Sequence, residues 1–383
     1  MMNILFDLTA SQPNVDWKYH GGGKYAKIVF LKLVNYASIN SNISVYAIID
    51  QTKFIDPIIK EAIGRNSIDV FDIASVSIED IINQYKIDKF YTALPTNFEK
   101  IKKIKCQIIG AIHGLRGLET RITWDALLYE RGFRWVKMLL KILFFNLYKK
   151  RQLKYFEELF KMKNFTFYVV SNHTKYSIKS FFPNISLDNI KVFYSPDVTT
   201  DNFNLTKGIS GYFLMVSGNR WLKNNLTAAK ALDQIISDYP EFNKKIIITG
   251  ITDKSIYLKY LKNTSHFIFL SYVSEDELSN LYINAFALIY PTLNEGFGYP
   301  PLEAMRFRVP VIVSAITSIP EICGDSVLYT NPYSSDEIKN RILQLLWDEN
   351  LYQDLRIKGL NRFIAIKEKQ KQDLDSLVEY ITT

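Results

Sequence analysis

The sequence predicts an α/β protein built around two parallel sheets. Short apolar runs bounded by polar residues alternate with longer amphipathic segments along most of the chain, which is typical of strands connected by helices. The same pattern starts again near residue 212, and 383 residues are enough for two such cores. Parallel strands that are covered on both faces are expected to be continuously apolar, as these runs are.

The first half contains six predicted strands. Residues 3–8 form the first of them, because the run is short, apolar and followed by polar residues. A loop containing Gly21, Gly22 and Gly23 is expected next, and a helix over residues 24–38 follows it. The other predicted strands of this half are Ile43–Ile49, 89–93, 106–112, 166–170 and 191–194.

The second half repeats the alternation and ends in helices. Ser274 followed by Glu277 forms a capping box, which predicts a helix over residues 275–285. Another helix is expected over residues 222–237, and the chain after Asp336 is mostly helical in pattern. The predicted strands of this half are 212–217, 245–249, 267–270, 288–290 and 310–313.

These patterns divide the chain into three parts. Residues 1–205 and 206–365 are expected to form one Rossmann-like domain each, joined by a polar linker that carries Pro196 and Gly208. Residues 366–383 are expected to form a helix that crosses back to the first domain.

Composition and charge narrow the function classes. Apolar residues make up 48% of the chain, so a packed globular protein is expected. The net charge of +8 favours anionic partners, but no zinc-finger spacing or RNA-binding motif is visible, so nucleic acid is not an expected partner. Cys106 and Cys323 are far apart and are expected to be free thiols. The sequence shows neither a secretory signal nor a run of about 20 apolar residues, which predicts a cytoplasmic protein.

The motif with the most chemical information runs from Asn294 to Glu303. Two consecutive prolines place a helix start near residue 299, because proline suits the first turn of a helix. Glu303 then lies in that first turn, and Glu295 lies in the loop before it, beyond the carboxyl end of a strand, where open α/β sheets bind ligands. Gly296 and Gly298 allow a close backbone approach, and a helix N-terminus favours an anion. Two carboxylates are unexpected beside a site that favours an anion. Their presence is explained if they accept hydrogen bonds from neutral hydroxyl groups such as those of a sugar and a ribose.

A second motif follows the first strand of the second half. Arg220 and Lys223 lie in the turn after residues 212–217, and Asn224 stands near the start of the next predicted helix. Two cations beside helix N-terminal N–H groups suit a diphosphate, whereas a solvated basic loop is the alternative.

These motifs resemble those of the family-4 retaining glycosyltransferases, which have the GT-B architecture of two Rossmann-like domains with parallel sheets facing a central cleft. The resemblance is strongest over residues 213–332 and rests on the Glu-x7-Glu motif of Glu295 and Glu303. It implies that Glu295 holds hydroxyls of the transferred sugar and that Glu303 holds the ribose. The implied backbone contacts to the donor come from Gly296, Phe297, Gly298 and Tyr299.

The resemblance also assigns the second motif to the donor. It implies that Arg220, Lys223 and Asn224 bind the diphosphate, where the two cations stabilise the leaving nucleoside diphosphate as a metal does elsewhere. We therefore expect neither a metal nor a cofactor. Tyr272 and Val273 are the implied contacts to the nucleobase.

Further implied contacts lie in the first half. Gly22 and Gly23 are implied to approach the donor diphosphate, and His113, at the end of a predicted strand, to touch the donor sugar. A lone histidine is more often structural than catalytic, so the assignment of His113 as a donor contact depends on the resemblance. The residues just before the glycines are candidates for the acceptor side: Trp17, Tyr19 and His20.

One position departs from the family. Arg308 stands where a glycine often ends the helix, and a left-handed backbone there would cost about 1 kcal/mol relative to glycine.

The segment from Arg131 to Lys154 is basic and aromatic, and it is predicted to form one long helix. Two interpretations remain open. The helix docks on an anionic membrane surface near a lipid-linked acceptor, or it buries its apolar side against the protein and solvates its lysines.

The resemblance, together with these features, implies a retaining, metal-independent hexosyltransferase. Its donor would be a nucleoside diphosphate sugar and its acceptor a saccharide or a lipid-linked glycan. The family context further implies bacterial surface polysaccharide synthesis at the inner face of the membrane. A sugar-nucleotide epimerase or hydrolase of the same architecture would consume the donor without an acceptor. A non-catalytic nucleotide-sugar-binding membrane scaffold would lack the donor-site residues, which are present here.

Overall fold

The chain forms two compact units. The first comprises Met1–Leu115, Arg151–Val198 and Lys367–Thr383, and the second comprises Arg116–Lys150 and Thr199–Ile366. The structure is a computed structural model and describes residues 1–13, 21–95, 101–198 and 211–383.

The first unit contains a seven-stranded sheet whose neighbouring strands are parallel, in the order β3-β2-β1-β4-β5-β6-β7. Its strands are β1 (Met2–Asp7), β2 (Ile43–Ile49), β3 (Val70–Asp72), β4 (Lys89–Thr92), β5 (Gln107–Ile112), β6 (Phe165–Val169) and β7 (Lys191–Val192). The order reverses next to β1, which is the arrangement of a doubly wound fold.

The second unit contains a six-stranded sheet, also parallel throughout, in the order β10-β9-β8-β11-β12-β13. Its strands are β8 (Tyr212–Met215), β9 (Ile246–Ile248), β10 (Phe267–Phe269), β11 (Ala285–Tyr290), β12 (Val311–Ser314) and β13 (Leu328–Thr330). The chain runs outward from β8 to one edge and from β11 to the other. Ligands bind at such a reversal point, so the loops after β8 and β11 are the expected place for a site.

The helices cover these sheets. Those of seven residues or more are Gly21–Ser38, Pro57–Arg65, Ile78–Gln84, Gly132–Leu143, Phe145–Phe160, Asn172–Phe181, Asn225–Asp238, Glu275–Asn284, Tyr299–Arg306, Ser335–Trp347 and Glu349–Thr382. Shorter ones are Arg116–Glu119, Ser255–Tyr260 and Ile319–Cys323.

The predicted fold class is confirmed, and each predicted strand is present. The prediction missed β3 and β13, which are three-residue strands at sheet edges and are only partly buried. Such strands lack the continuous apolar run by which the central ones are found. The capping box at Ser274 is present, with Glu277 accepting the Ser274 N–H at 2.7 Å.

Two local predictions were wrong. Gly21, Gly22 and Gly23 do not form a loop, because the helix already begins at Gly21 and the three glycines make its first turn. The basic aromatic segment does not form one helix either. It breaks at Phe144, whose ψ of 37° leaves the helical range, although no proline or glycine marks the position.

The predicted first domain, residues 1–205, also differs from the first unit. The segment Arg116–Lys150 lies within that range of the sequence but groups with the second unit. Three kinds of contact hold this segment there. Glu119 accepts a hydrogen bond from the Asn294 amide at 2.9 Å, and Arg131 forms an ion pair with Asp253 at 2.9 Å. Tyr129 packs against the hydrophobic core of the second unit.

The end of the C-terminal helix packs in the first unit. Gln370 donates a hydrogen bond to the Ser195 carbonyl at 2.6 Å, and Asp373 accepts the Tyr194 N–H at 2.9 Å. The ammonium of the buried Lys89 donates to the Ile381 carbonyl at 3.2 Å, near the negative end of this helix. The boundary between the units therefore falls within the helix Glu349–Thr382.

The two cysteines are free thiols, as predicted. Burial raises the pKa of Cys106 to about 11 and that of Cys323 to about 12, so both are unreactive at neutral pH. Within the described residues, no helix combines the length and apolar character needed to span a membrane.

Candidate active site

Three loops meet at the carboxyl edge of the six-stranded sheet. They follow β8, β11 and β12, and hydrogen bonds join them. The Leu293 N–H donates to the Leu222 carbonyl at 2.7 Å, which ties the loop after β11 to the loop after β8. The Glu295 N–H donates to the Thr317 hydroxyl at 3.0 Å, which ties it to the loop after β12. The three loops thus form one connected structure.

The loop after β8 has a backbone that few sequences allow. Ser217 and Asn224 both have a positive φ, of 58° and 55°. A Cβ on Gly218 would lie 2.8 Å from the Ile248 side chain and would also overlap Ile251, so glycine is required there. Between these residues a single 3-10 turn, Trp221–Lys223, directs Lys223 towards the loop after β11.

A buried carboxylate stands at the centre of the site. Glu295 Oε1 accepts hydrogen bonds from the Lys223 ammonium at 2.5 Å, the Tyr290 hydroxyl at 2.6 Å and the Thr292 hydroxyl at 2.7 Å. Among the hydrogen bonds of the described residues, all those to this carboxylate end on Oε1. The second oxygen, Oε2, is therefore available to a ligand.

The charges of this pair are set by burial and by each other. The side chains of Lys223 and Glu295 are 12% and 11% exposed. Burial alone would raise the pKa of Glu295, but the Lys223 ammonium and the two hydroxyl donors outweigh it, so the pKa lies below its ordinary value. Burial lowers the pKa of Lys223, and the Glu295 carboxylate opposes that effect. Burial and the same carboxylate raise the pKa of Tyr290, which keeps its hydroxyl protonated as a donor.

Small polar residues hold the Glu295 loop in place. The Ser318 hydroxyl contacts two carbonyls, those of Glu295 at 3.1 Å and Phe297 at 3.0 Å. The Ser314 hydroxyl donates to the Thr292 carbonyl at 2.5 Å. Both serines are fully buried, so the carbonyls of this irregular loop are paired inside the protein.

The helix Tyr299–Arg306 begins where the prolines predicted it. Gly298 precedes it with a φ of 111°, and a Cβ there would lie 2.7 Å from the Ile319 side chain. Only glycine combines this backbone with this close packing. Glu303 is the fifth residue of this helix, so it lies in the second turn and not in the first turn as predicted. It stands beside the buried Tyr282, whose pKa is raised by burial and by the Glu303 carboxylate.

A third cation belongs to this site. Arg116 and Arg220 are both close enough to the Lys223 ammonium to lower its pKa. Arg116 begins the short helix Arg116–Glu119, which is held against the Glu295 loop by the hydrogen bond that the Asn294 amide donates to Glu119. Sequence reasoning missed Arg116 because the contact that brings its helix to the site, between Asn294 and Glu119, joins residues 175 positions apart in the chain. It also missed Tyr290 and Thr292, although their positions within a few residues of Glu295 were a usable signal.

Asn224 contributes to the loop structure, and its predicted contact with the diphosphate stays a prediction. Its Nδ2 donates to the Pro332 carbonyl at 2.6 Å, and its Oδ1 accepts from the Thr227 hydroxyl at 2.7 Å. Tyr272 and Val273 follow β10 in the same unit, where Tyr272 is 44% exposed. Their predicted contact with a nucleobase stays a prediction.

The remaining predicted residues lie in the first unit. His113 follows β5, its Nε2 lies 2.9 Å from the Ala93 carbonyl oxygen, and its ring meets the Tyr25 ring edge-on at 4.6 Å. Gly22 and Gly23 lie in the first turn of helix Gly21–Ser38, where the N–H groups at a helix start suit an anion. The predicted acceptor-side residues, Trp17, Tyr19 and His20, lie outside the described residues.

In the part of the chain that the structure describes, no group of three or more His, Cys, Asp or Glu side chains is arranged to hold a metal ion. An Asp-x-Asp sequence, Asp373 to Asp375, lies in the C-terminal helix. There Asp373 caps the Tyr194 N–H and Asp375 pairs with Lys32. These two acids therefore have structural partners in the first unit.

Comparison with known proteins places these features in a family. Residues 206–362 match the family model described as glycosyl transferases group 1. The O-antigen chain mannosyltransferase RfbU of Salmonella typhimurium is 37% identical over 153 residues, which are 39% of this chain and 42% of that protein. The match thus spans less than half the length of this relative.

Solved structures extend the likeness to the whole fold. The glycosyltransferase from Rickettsia africae ESF-5 aligns over 100% of this chain and 99% of its own, with a TM-score of 0.64 and 16% identity. Anabaena HepE, solved with UDP and glucose, aligns over 98% of this chain and 100% of its own, with a TM-score of 0.58 and 14% identity. The two parallel α/β units therefore have the GT-B architecture of glycosyltransferases.

Proposed function

We propose that this protein is a retaining, metal-independent hexosyltransferase that uses a nucleoside diphosphate sugar. One observation carries the proposal. Glu295 is buried, ionised and held through Oε1 alone, so Oε2 is free to accept hydrogen bonds from sugar hydroxyls. Lys223 joins that carboxylate to the loop that carries Arg220, where a diphosphate would be bound by cations.

Each group then has a chemical task. Glu295 orients the transferred sugar, and Glu303, one helical turn beyond the glycine loop, binds the ribose. Lys223 and Arg220, together with Arg116, stabilise the negative charge that develops on the leaving diphosphate. This fixed positive charge supports a reaction without a metal ion.

The reaction exchanges one glycosidic bond for another on the same face of the sugar. The bond from the anomeric carbon to the diphosphate breaks, and the acceptor oxygen bonds to that carbon. The acceptor proton passes to the departing phosphate oxygen, which serves as the base. Glu295 already accepts three hydrogen bonds and is placed to bind hydroxyls rather than to attack, which favours this front-face route over a covalent enzyme intermediate.

A mannosyl nucleotide is the first donor to test, because RfbU is an O-antigen chain mannosyltransferase. UDP-glucose is the second, because HepE binds UDP and glucose. The proposed acceptor is a saccharide or a lipid-linked glycan of a bacterial surface polysaccharide. Such an acceptor would place the protein at the inner face of the membrane.

Two substitutions test the site directly. Glu295→Ala and Lys223→Ala should each lower kcat/KM by roughly a hundredfold or more, the usual loss when one charge-stabilising group is removed. The control is Lys339→Ala, which breaks the ion pair between Lys339 and Asp238 in the same unit but away from the three loops. Circular dichroism would confirm that all three variants are folded. Wild-type turnover in either site variant would contradict the proposal.

A further inference from the structure

The helix Gly132–Leu143 and the start of the helix Phe145–Phe160 expose large apolar side chains to solvent. No residue of the first helix is buried. Phe133 is 72% exposed, Leu143 57% and Phe144 58%. The exposed members of this surface are Phe133, Val136, Leu140, Leu143, Phe144 and Leu147. Soluble proteins scatter single apolar residues over their surfaces, whereas six within fifteen consecutive positions, at helical spacing, form a patch that needs a partner.

The helix presents this patch beside a row of cations. Phe133, Val136, Leu140 and Leu143 recur at intervals of three and four residues, so they lie on one face. Arg134, Lys137 and Lys141 follow the same spacing on the neighbouring face, and all three are exposed. Met138, Leu139 and Ile142 are partly buried, so they form the side of the helix that rests on the protein.

The charge on this surface has one sign. From Gly132 to Lys150 the chain carries no acidic residue. The basic residues in that stretch are Arg134, Lys137, Lys141, Lys149 and Lys150. The Lys137 ammonium lies 4.6 Å from the centre of the Phe133 ring, and the Lys141 ammonium lies 5.5 Å from that of Tyr148. Cations beside aromatic rings suit the interface of a membrane. There the rings enter the apolar layer and the ammonium groups stay with the anionic head groups.

The N-terminal end of this surface is fixed to the second unit. Arg131 pairs with Asp253 at 2.9 Å and donates to the Leu128 carbonyl at 3.0 Å. The helix therefore starts from an anchored residue.

We propose that this surface, the amphipathic face formed by residues 133–147, docks on an anionic lipid bilayer. Its apolar side chains enter the boundary between head groups and acyl chains, and its cations bind the lipid phosphates. A protein partner with a matching apolar groove would not require a row of cations without any acid along the whole patch. The binding does not depend on the proposed reaction, so each can fail without the other.

Flotation of the full chain with phospholipid vesicles tests this proposal. The wild type should float with vesicles of phosphatidylcholine and one third phosphatidylglycerol, and much less with phosphatidylcholine alone. Neutralising three cations, in R134Q/K137Q/K141Q, should weaken binding about a hundredfold, since each basic residue near an anionic surface contributes roughly fivefold. Removing apolar contacts, in F133S/L140S/L143S, should abolish flotation even with anionic vesicles.

Matched controls separate the face from net charge and from folding. K60Q/K103Q/K105Q removes three exposed charges from the first unit and should float like the wild type. Because the substituted side chains are exposed, circular dichroism should be unchanged in every variant. The proposal is overturned if the wild type does not float with anionic vesicles, or if both face variants float as well as it does. It is also overturned if the wild type forms a dimer in solution that the serine variant lacks, because a second copy would then cover the face.

Discussion

The buried Glu295 carboxylate illustrates how single residues determine this site. A carboxylate away from water is stable only when it is paired and hydrogen-bonded, and Lys223, Tyr290 and Thr292 supply that pairing on one oxygen. The arrangement leaves the other oxygen to a ligand and keeps the group ionised. The same contacts therefore serve both stability and binding.

This pairing predicts a pH-dependent stability. Replacing Glu295 by Gln leaves the buried Lys223 charge without its partner and should cost roughly 3 kcal/mol near pH 7. The folded-state pKa of Glu295 lies below its ordinary value of 4.5, so the carboxylate stabilises the protein above that pH and the contribution is lost as the pH falls through the folded pKa. Thermal unfolding of wild type and Glu295→Gln should therefore converge in acid.

The double variant Lys223→Met/Glu295→Gln is the control for this prediction. It removes both charges while a glutamine oxygen still accepts from the Tyr290 hydroxyl, so most of the lost stability should return although kcat/KM stays at least a hundredfold below that of the wild type. A stability loss that is the same at every pH, or that the second substitution deepens, would show that the ion pair is not its source.

At the scale of elements, the loop after β8 and the helix Tyr299–Arg306 depend on unusual backbone angles. Arg308, just beyond that helix, has a φ of 57°, so the backbone is left-handed at the position where the resembling family often has glycine. Its side chain is exposed, and the adjoining turn is closed by the bond from the Val309 N–H to the Ala304 carbonyl at 3.0 Å. The backbone strain is therefore local to this cap.

Arg308→Gly should stabilise the protein by about 1 kcal/mol, because glycine adopts this conformation without the Cβ clash. For a unit of this size that corresponds to a rise in Tm of about 2–4 °C. Arg308→Ala removes the same side chain but keeps the Cβ, so it should give no such rise. Equal gains in both variants would place the effect in the arginine side chain instead of the backbone.

The elements that sequence could predict are those whose signal is local. Buried parallel strands are apolar along their length. The capping box at Ser274 marks a helix start with a motif of only four residues. The break at Phe144 has no local signal, and the grouping of Arg116–Lys150 with the second unit comes from tertiary contacts such as Glu119 to Asn294. Of the site, Glu295 and Lys223 could be found from the sequence, whereas their bond and the presence of Arg116 required the structure.

At the scale of the whole molecule, the two parallel sheets have separate roles in the proposed reaction. The second unit holds a connected set of loops with a carboxylate, proposed to bind hydroxyls, and cations, proposed to bind phosphate. The first unit carries His113 and the glycine-rich helix start, which stay predicted donor contacts. The amphipathic face belongs to the second unit as well, so the proposed membrane contact and the proposed donor site lie in the same unit.

The central claim is that this protein transfers a sugar with retention and without a metal. The most direct measurement is the NMR spectrum of the product formed from GDP-mannose and a mannoside acceptor, with and without EDTA. We expect an α-linked product, matching the α-linked donor, in equal yield under both conditions. A β-linked product, loss of transfer in EDTA that added metal restores, or consumption of this donor without any acceptor would contradict the account.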